Sequence, residues 1–158
     1  MKKYAILAVV LLAATSMFAA DLNGKWVAQI VNANNGSVTE RIFNLNVAAG
    51  KLTGTVVNQA VTEATFEQPG KKPMTGTLKT LQGKPVEIIE GQVTGDSVTF
   101  AIMNVTYQGQ MKVVYTGTMA GNELKLTAET KIPEGAKTPS GAPMTAPKPQ
   151  DMVAKRTK

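Results

Sequence analysis

The segment Gly121-Asn122-Glu123-Leu124-Lys125-Leu126-Thr127-Ala128-Glu129 decides the fold class. Leu124, Leu126 and Ala128 alternate with Glu123, Lys125, Thr127 and Glu129, and a period of two places the apolar set on one face of a β-strand and the charged set on the other. Gly121 and Asn122, just ahead of it, are residue types that supply the positive φ of a tight hairpin turn.

The same alternation recurs in both directions from this segment. Trp26, Ala28 and Ile30 share a face, as do Phe43, Leu45 and Val47, then Leu52, Gly54 and Val56. Val98, Phe100 and Ile102 follow, then Met111, Val113 and Tyr115, and near the C-terminus Met152, Ala154 and Arg156. Short Gly-containing connections separate the runs at 48–51, 94–96, 108–110 and 120–122. No helical crossover segment lies between strands, so the sheet is antiparallel and its topology a meander. Three strands carry an apolar-Thr-Gly-Thr-apolar pattern, at 52–56, 74–78 and 115–119. Glycine between two outward threonines suits a strand that bends sharply at a barrel corner.

Two stretches interrupt the meander. Residues 59–85 read as an inserted hairpin with its turn at Pro69-Gly70-Lys71-Lys72-Pro73, and residues 132–149, with five prolines, read as an exposed loop without helix or strand. The chain then resumes with a closing strand at 152–156.

Ahead of the meander, Lys2 and Lys3, an apolar run from Ala5 to Ala20 and the small residues Ala19 and Ala20 form the three regions of a secretory signal peptide. The domain reading is therefore a signal peptide at 1–20 and a single barrel domain at 21–158. The run is at the short end of what spans a bilayer, and no basic cluster follows it, so no stable membrane anchor is expected. No cysteine stands at the cleavage region to carry a lipid, and the protein is expected to be secreted or periplasmic.

Composition excludes several chemistries. The chain has no histidine and no cysteine, which removes His-based acid–base catalysis, Ser-His-Asp and Cys-His nucleophiles and His/Cys zinc sites. The four serines, 16, 37, 97 and 140, lie in no Gly-x-Ser-x-Gly elbow. The carboxylate pairs Glu63 with Glu67 and Glu87 with Glu90 lie outside any calcium-type loop and read as solvated strand residues. No catalytic residue, metal or cofactor is expected, and the chain is not expected to be an enzyme. Asn104-Val105-Thr106 matches a glycosylation sequon that a bacterial-type signal peptide leaves unused. Removing Lys2 and Lys3 lowers the formal charge of +6 by two, and the remaining basic residues are dispersed, so nucleic acid is not an expected partner.

Gly24-Lys25-Trp26 opening the first strand, the meander after it and a basic residue in the last strand together resemble the lipocalin, fatty-acid-binding and avidin group of barrels. The Gly-Lys-Trp opening, Gly50 to Thr55, Gly95-Asp96 and Ala154 to Arg156 also resemble, more closely, a group of small secreted bacterial proteins of unknown function. The first resemblance implies an all-β, antiparallel up-and-down barrel of 8–10 strands. It also implies that Trp26, with Gly24, plugs one end and that Arg156 covers the indole. On this reading the barrel binds a small apolar or amphipathic ligand. Its expected lumen residues are Phe43, Phe100, Ile102, Met111 and Tyr115, with Arg156 as anchor for an anionic group if it is not capping Trp26. The alternative is a packed scaffold whose loops at 68–73 and 132–149 contact a protein or a cell-surface polymer.

The leader reading has a direct check: exported protein should begin at Ala20 or Asp21 on N-terminal sequencing, and a chain still beginning at Met1 excludes it.

Overall fold

The computed structural model describes residues 21–66, 70–106, 109–138 and 140–157, with the backbone alone at Phe66 and Thr106. The expected signal peptide at 1–20 lies outside the described residues, as do Glu67 and Pro69. Eight strands follow one another along the chain: β1 (Gly24–Val31), β2 (Val38–Ala48), β3 (Lys51–Phe66), β4 (Met74–Thr94), β5 (Ser97–Thr106), β6 (Gly109–Ala120), β7 (Glu123–Lys131) and β8 (Gln150–Thr157). Each pairs antiparallel with its neighbour in sequence, and β8 pairs with β1, closing the barrel. The strand number among the described residues is thus eight, at the lower end of the expected range.

The alternating faces hold. Trp26, Ala28, Phe43, Leu45, Val98, Phe100, Tyr115, Leu124, Leu126, Met152 and Ala154 are all buried in one interior cluster. At one end, two-residue loops at 49–50, 95–96 and 121–122 join β2 to β3, β4 to β5 and β6 to β7. The other end carries the residues between β1 and β2, the tip between β3 and β4, and the long connection from β7 to β8.

Two of the three Thr-Gly-Thr segments are corners in the literal sense. A Cβ on Gly54 would lie 1.8 Å from the Asn44 carbonyl oxygen, and one on Gly117 would lie 1.9 Å from that of Lys125. Neighbouring backbone therefore occupies the space of the missing side chain, and Gly54 also holds φ at +139°. The third, Gly76, lies in the β3–β4 ribbon.

A hairpin is present where one was expected near 59–85, continuous with the barrel strands. It is the outer part of β3 and β4, whose ladder runs regularly from Asn58↔Gln82 to Phe66↔Met74. Beyond Val38↔Val61 it has lost β2, and β5 pairs with β4 only from Ile88, so a two-stranded ribbon projects past the barrel. Gly83 and Pro85 lie in an irregularity between Gln82 and Val86, where no ladder bond is required of proline. On the outer wall Glu40, 6 % exposed, holds the base of the ribbon: both carboxylate oxygens accept from Lys79 Nζ at 2.9 Å, and Oε2 also accepts from Gln59.

The Pro-rich connection organises itself locally. The Thr138 and Gly141 amides donate to the carbonyls of Ala142 and Thr138, and the Met144 amide to that of Ala136, closing a small turn with one bridge between Lys137 and Pro143.

Since that turn is held mainly by its own bonds, replacing 134–148 with a short Gly/Ser linker should leave the thermal midpoint within about 5 °C, loop-closure entropy varying slowly with length. Truncation after Gln150 should abolish cooperative unfolding, because it removes both ladders of β8. Thermal melts followed by circular dichroism distinguish the two.

Candidate functional site

The two ends of the barrel are chemically different. At the hairpin end the chain before β1 folds across the base, and Leu22 is fully buried. Trp26 Nε1–H donates to the Leu22 carbonyl at 2.9 Å, and the Arg156 guanidinium carbon lies 4.9 Å from the indole centroid. Arg156 Nη1 donates to Asp21 Oδ2 at 2.9 Å. This hydrogen bond, with that from the Asn23 amide, holds the Asp21 carboxyl below its usual value. The Asn23 side chain accepts from the Val47 amide at 2.7 Å, so the plug is tied to β2 as well. A guanidinium over an indole contributes about 0.5–2 kcal/mol, against about 3–5 for truncating a buried Trp, so packing dominates this end.

Arg156 therefore caps Trp26, so the condition under which it was expected to anchor an anionic group is not met. Phe43 and Phe100, expected to line the lumen, instead fill it. Each is fully buried, and with Tyr115 they form an aromatic trio: Phe43 meets Phe100 and Tyr115 edge-on at 6.0 and 5.6 Å, while Phe100 and Tyr115 stack at 4.7 Å. An eight-stranded interior is only wide enough for side chains or one small ligand, and here aromatic rings take the middle.

Above the trio the interior opens. Arg41 pairs with Ala28 on one side and Asn58 on the other, two residues from Phe43 and on the same face, so its side chain enters the barrel above the rings. It is half-buried, and its Nε donates to Asn58 Oδ1 at 2.9 Å. A cavity of about 90 Å³ is bounded by Arg41, Val56, Asn58, Gln82, Lys84, Val86, Ile102, Asn104 and Tyr115. A cleft of about 620 Å³ shares Arg41, Asn104 and Tyr115 and is walled by Val113, Thr130 and Pro147 to Asp151. The end of the Pro-rich connection thus forms one side of the mouth.

Tyr115 joins the two layers. Burial pushes its phenol above the usual value of 10, and Arg41, as a positive charge and hydrogen-bond donor to the phenol, acts the other way. No carboxylate among the described residues forms an ion pair with Arg41. Asp151, which also lines the cleft, accepts from the Thr127 hydroxyl at 2.6 Å.

Of the expected lumen residues, Ile102 and Tyr115 line this site. Met111 is half-buried on the inward face opposite Asn104, at the rim, and Phe43 and Phe100 form the floor. Arg41, Asn58 and Gln82 were not singled out in sequence, and Asn104 drew notice only as part of a glycosylation sequon. Carrying the inward parity of Phe43 two residues back reaches Arg41. The larger concavity of about 840 Å³ is an outer-wall groove where β8 meets β1, and three of its four charged residues are engaged, Glu40 with Lys79, Asp151 with Thr127, and Lys155 with Glu123 at 3.6 Å, the fourth being Lys125. Of the expected carboxylate pairs, Glu90 is engaged by Lys112, and Glu63 lies exposed on the ribbon.

Tyr115 has a raised folded pKa, so the native state keeps its proton longer than the unfolded chain, and stability falls as pH rises above 10. An ultraviolet titration should show one tyrosine ionising above the ordinary range, and Tyr115→Phe should remove that component; a normal titration for Tyr115 contradicts the site geometry. Searches of protein-family models, of curated proteins and of solved structures find no match to this chain, so the barrel, compatible with a lipocalin-like fold, stands on its own geometry.

Proposed function

We propose that this chain is an extracytoplasmic, non-enzymatic barrel that binds a small amphipathic anion at its open end. The observation that carries the reading is Arg41: a half-buried guanidinium inside the barrel, oriented by Asn58, beside a buried phenol, with no carboxylate paired to it among the described residues. A buried or half-buried cation without a counter-ion favours an anionic guest, because the guest recovers the Coulomb energy that desolvation removes. Around it, Asn58, Gln82 and Asn104 offer hydrogen bonds, and Val86, Ile102, Val113 and the Tyr115 ring offer apolar contact. The inner cavity suits a headgroup the size of a carboxylate; the cleft above suits a short apolar body. The anchor is therefore Arg41 and not Arg156. The extracytoplasmic location rests on the apolar leader and its flanking lysines.

Titration calorimetry with decanoate and decanol separates the contributions. Decanoate should bind and decanol should bind much more weakly. Arg41→Gln should weaken decanoate by about 1.5–3 kcal/mol, the range of a hydrogen bond to a charged group. Equal affinity of the two probes, or an Arg41→Gln variant that binds decanoate like the parent, sinks the proposal.

A further inference from the structure

The exposed apolar side chains are unevenly distributed. Val31 (63 % exposed), Met74 (72 %), Leu78 (54 %) and Val105 (78 %) all lie at the mouth end: Val31 ends β1, Val105 lies next to the end of β5, and Met74 and Leu78 belong to the projecting ribbon. The remaining large exposed hydrophobics among the described residues, Leu81, Ile89 and Val153, lie on the ribbon base and the barrel wall, and none is in the hairpin turns at the plugged end. On the ribbon, the regular ladder puts Met74 and Leu78 on the face that Asn58 and Gln82 share, above the mouth. A free two-stranded ribbon gains little stability from its own pairing, and nothing in the barrel covers this face.

The charge at that end is complementary to one kind of partner. Lys71 and Lys72 are exposed beside the ribbon tip, and Lys137 and Lys148 lie on the connection from β7 to β8. None of the four forms an ion pair among the described residues; Lys25, Lys51, Lys84 and Lys125 have none either, but at this end the four outnumber the two unpaired carboxylates, Glu63 and Glu134. Apolar tips beside an excess of lysines match a bilayer interface, where the side chains enter the headgroup region and the ammonium groups meet anionic lipid. We infer that the open end of the barrel docks reversibly on an anionic lipid surface, with the β3–β4 ribbon as its leading edge. The inference rests on the rim and is independent of whether Arg41 holds a ligand.

The chain from Asp21 carries every strand of the barrel and lacks the apolar segment 1–20, which would bind lipid by itself. It should co-sediment with vesicles of equal parts phosphatidylglycerol and phosphatidylcholine, and at least fivefold less with phosphatidylcholine alone. Binding should weaken as salt rises. Met74→Ser with Leu78→Ser, and separately Lys71→Glu with Lys72→Glu, should each lower binding at least fivefold with unchanged thermal melts, since all four side chains are exposed. Val153→Ser on the outer wall should change nothing. Absence of binding to the anionic vesicles, equal binding to both vesicle types or full binding by either rim variant overturns the inference. So does self-association in the absence of lipid that Met74→Ser with Leu78→Ser abolishes, which would make the rim a contact between copies of this chain.

Discussion

The narrow interior of an eight-stranded barrel is the constraint on which the rest of this structure depends. Such a lumen holds about one layer of large side chains at a time. Trp26 takes the lowest level and the Phe43–Phe100–Tyr115 trio the middle one, so among the described residues the interior opens above Tyr115. That allocation places Arg41, within β2, directly above the rings where a guest would enter. It also separates two basic inward-facing side chains: Arg156 closes the base, while Arg41 faces the opening.

Closing the base required a second element that strands do not provide. The residues just before β1 turn under the barrel, and Leu22 supplies both an apolar stopper and the carbonyl that satisfies the indole N–H. Buried Trp without that acceptor would leave a polar group unpaired. Asp21 then holds Arg156 from the solvent side, so its lowered pKa belongs to the plug: its contribution is present above 3.8 and is lost as pH falls through the folded value.

The barrel itself was readable from alternation because its core residues are strongly apolar on one face and polar on the other, as in Leu124 to Glu129. Closure was readable too, since Met152 and Ala154 continue the same pattern into β8. The site was less visible. Around Arg41 the alternation blurs, because Ile42 and Glu40 on the outer face are also buried, one by packing and the other by its bonds to Gln59 and Lys79. Polar inward residues such as Asn58 and Asn104 look like ordinary strand ends until the register of neighbouring strands sets them at one level. The irregularity at 83–85 is a property of pairing between β3 and β4, so local pattern alone split one long strand into pieces.

The order of the ladders also governs how this chain comes together. Every pairing except one joins consecutive strands, and such local hairpins form without closing a large loop. The exception joins Lys25 to Thr157 and Trp26 to Arg156, across almost the whole described chain. A chain delivered N-terminus first therefore builds its sheet progressively while β1 keeps one edge unpaired, and the plug cannot be completed until the last strand arrives. The interval before that arrival is when the protein is most open to edge-to-edge association, and the brevity of β1 limits the length of edge at risk.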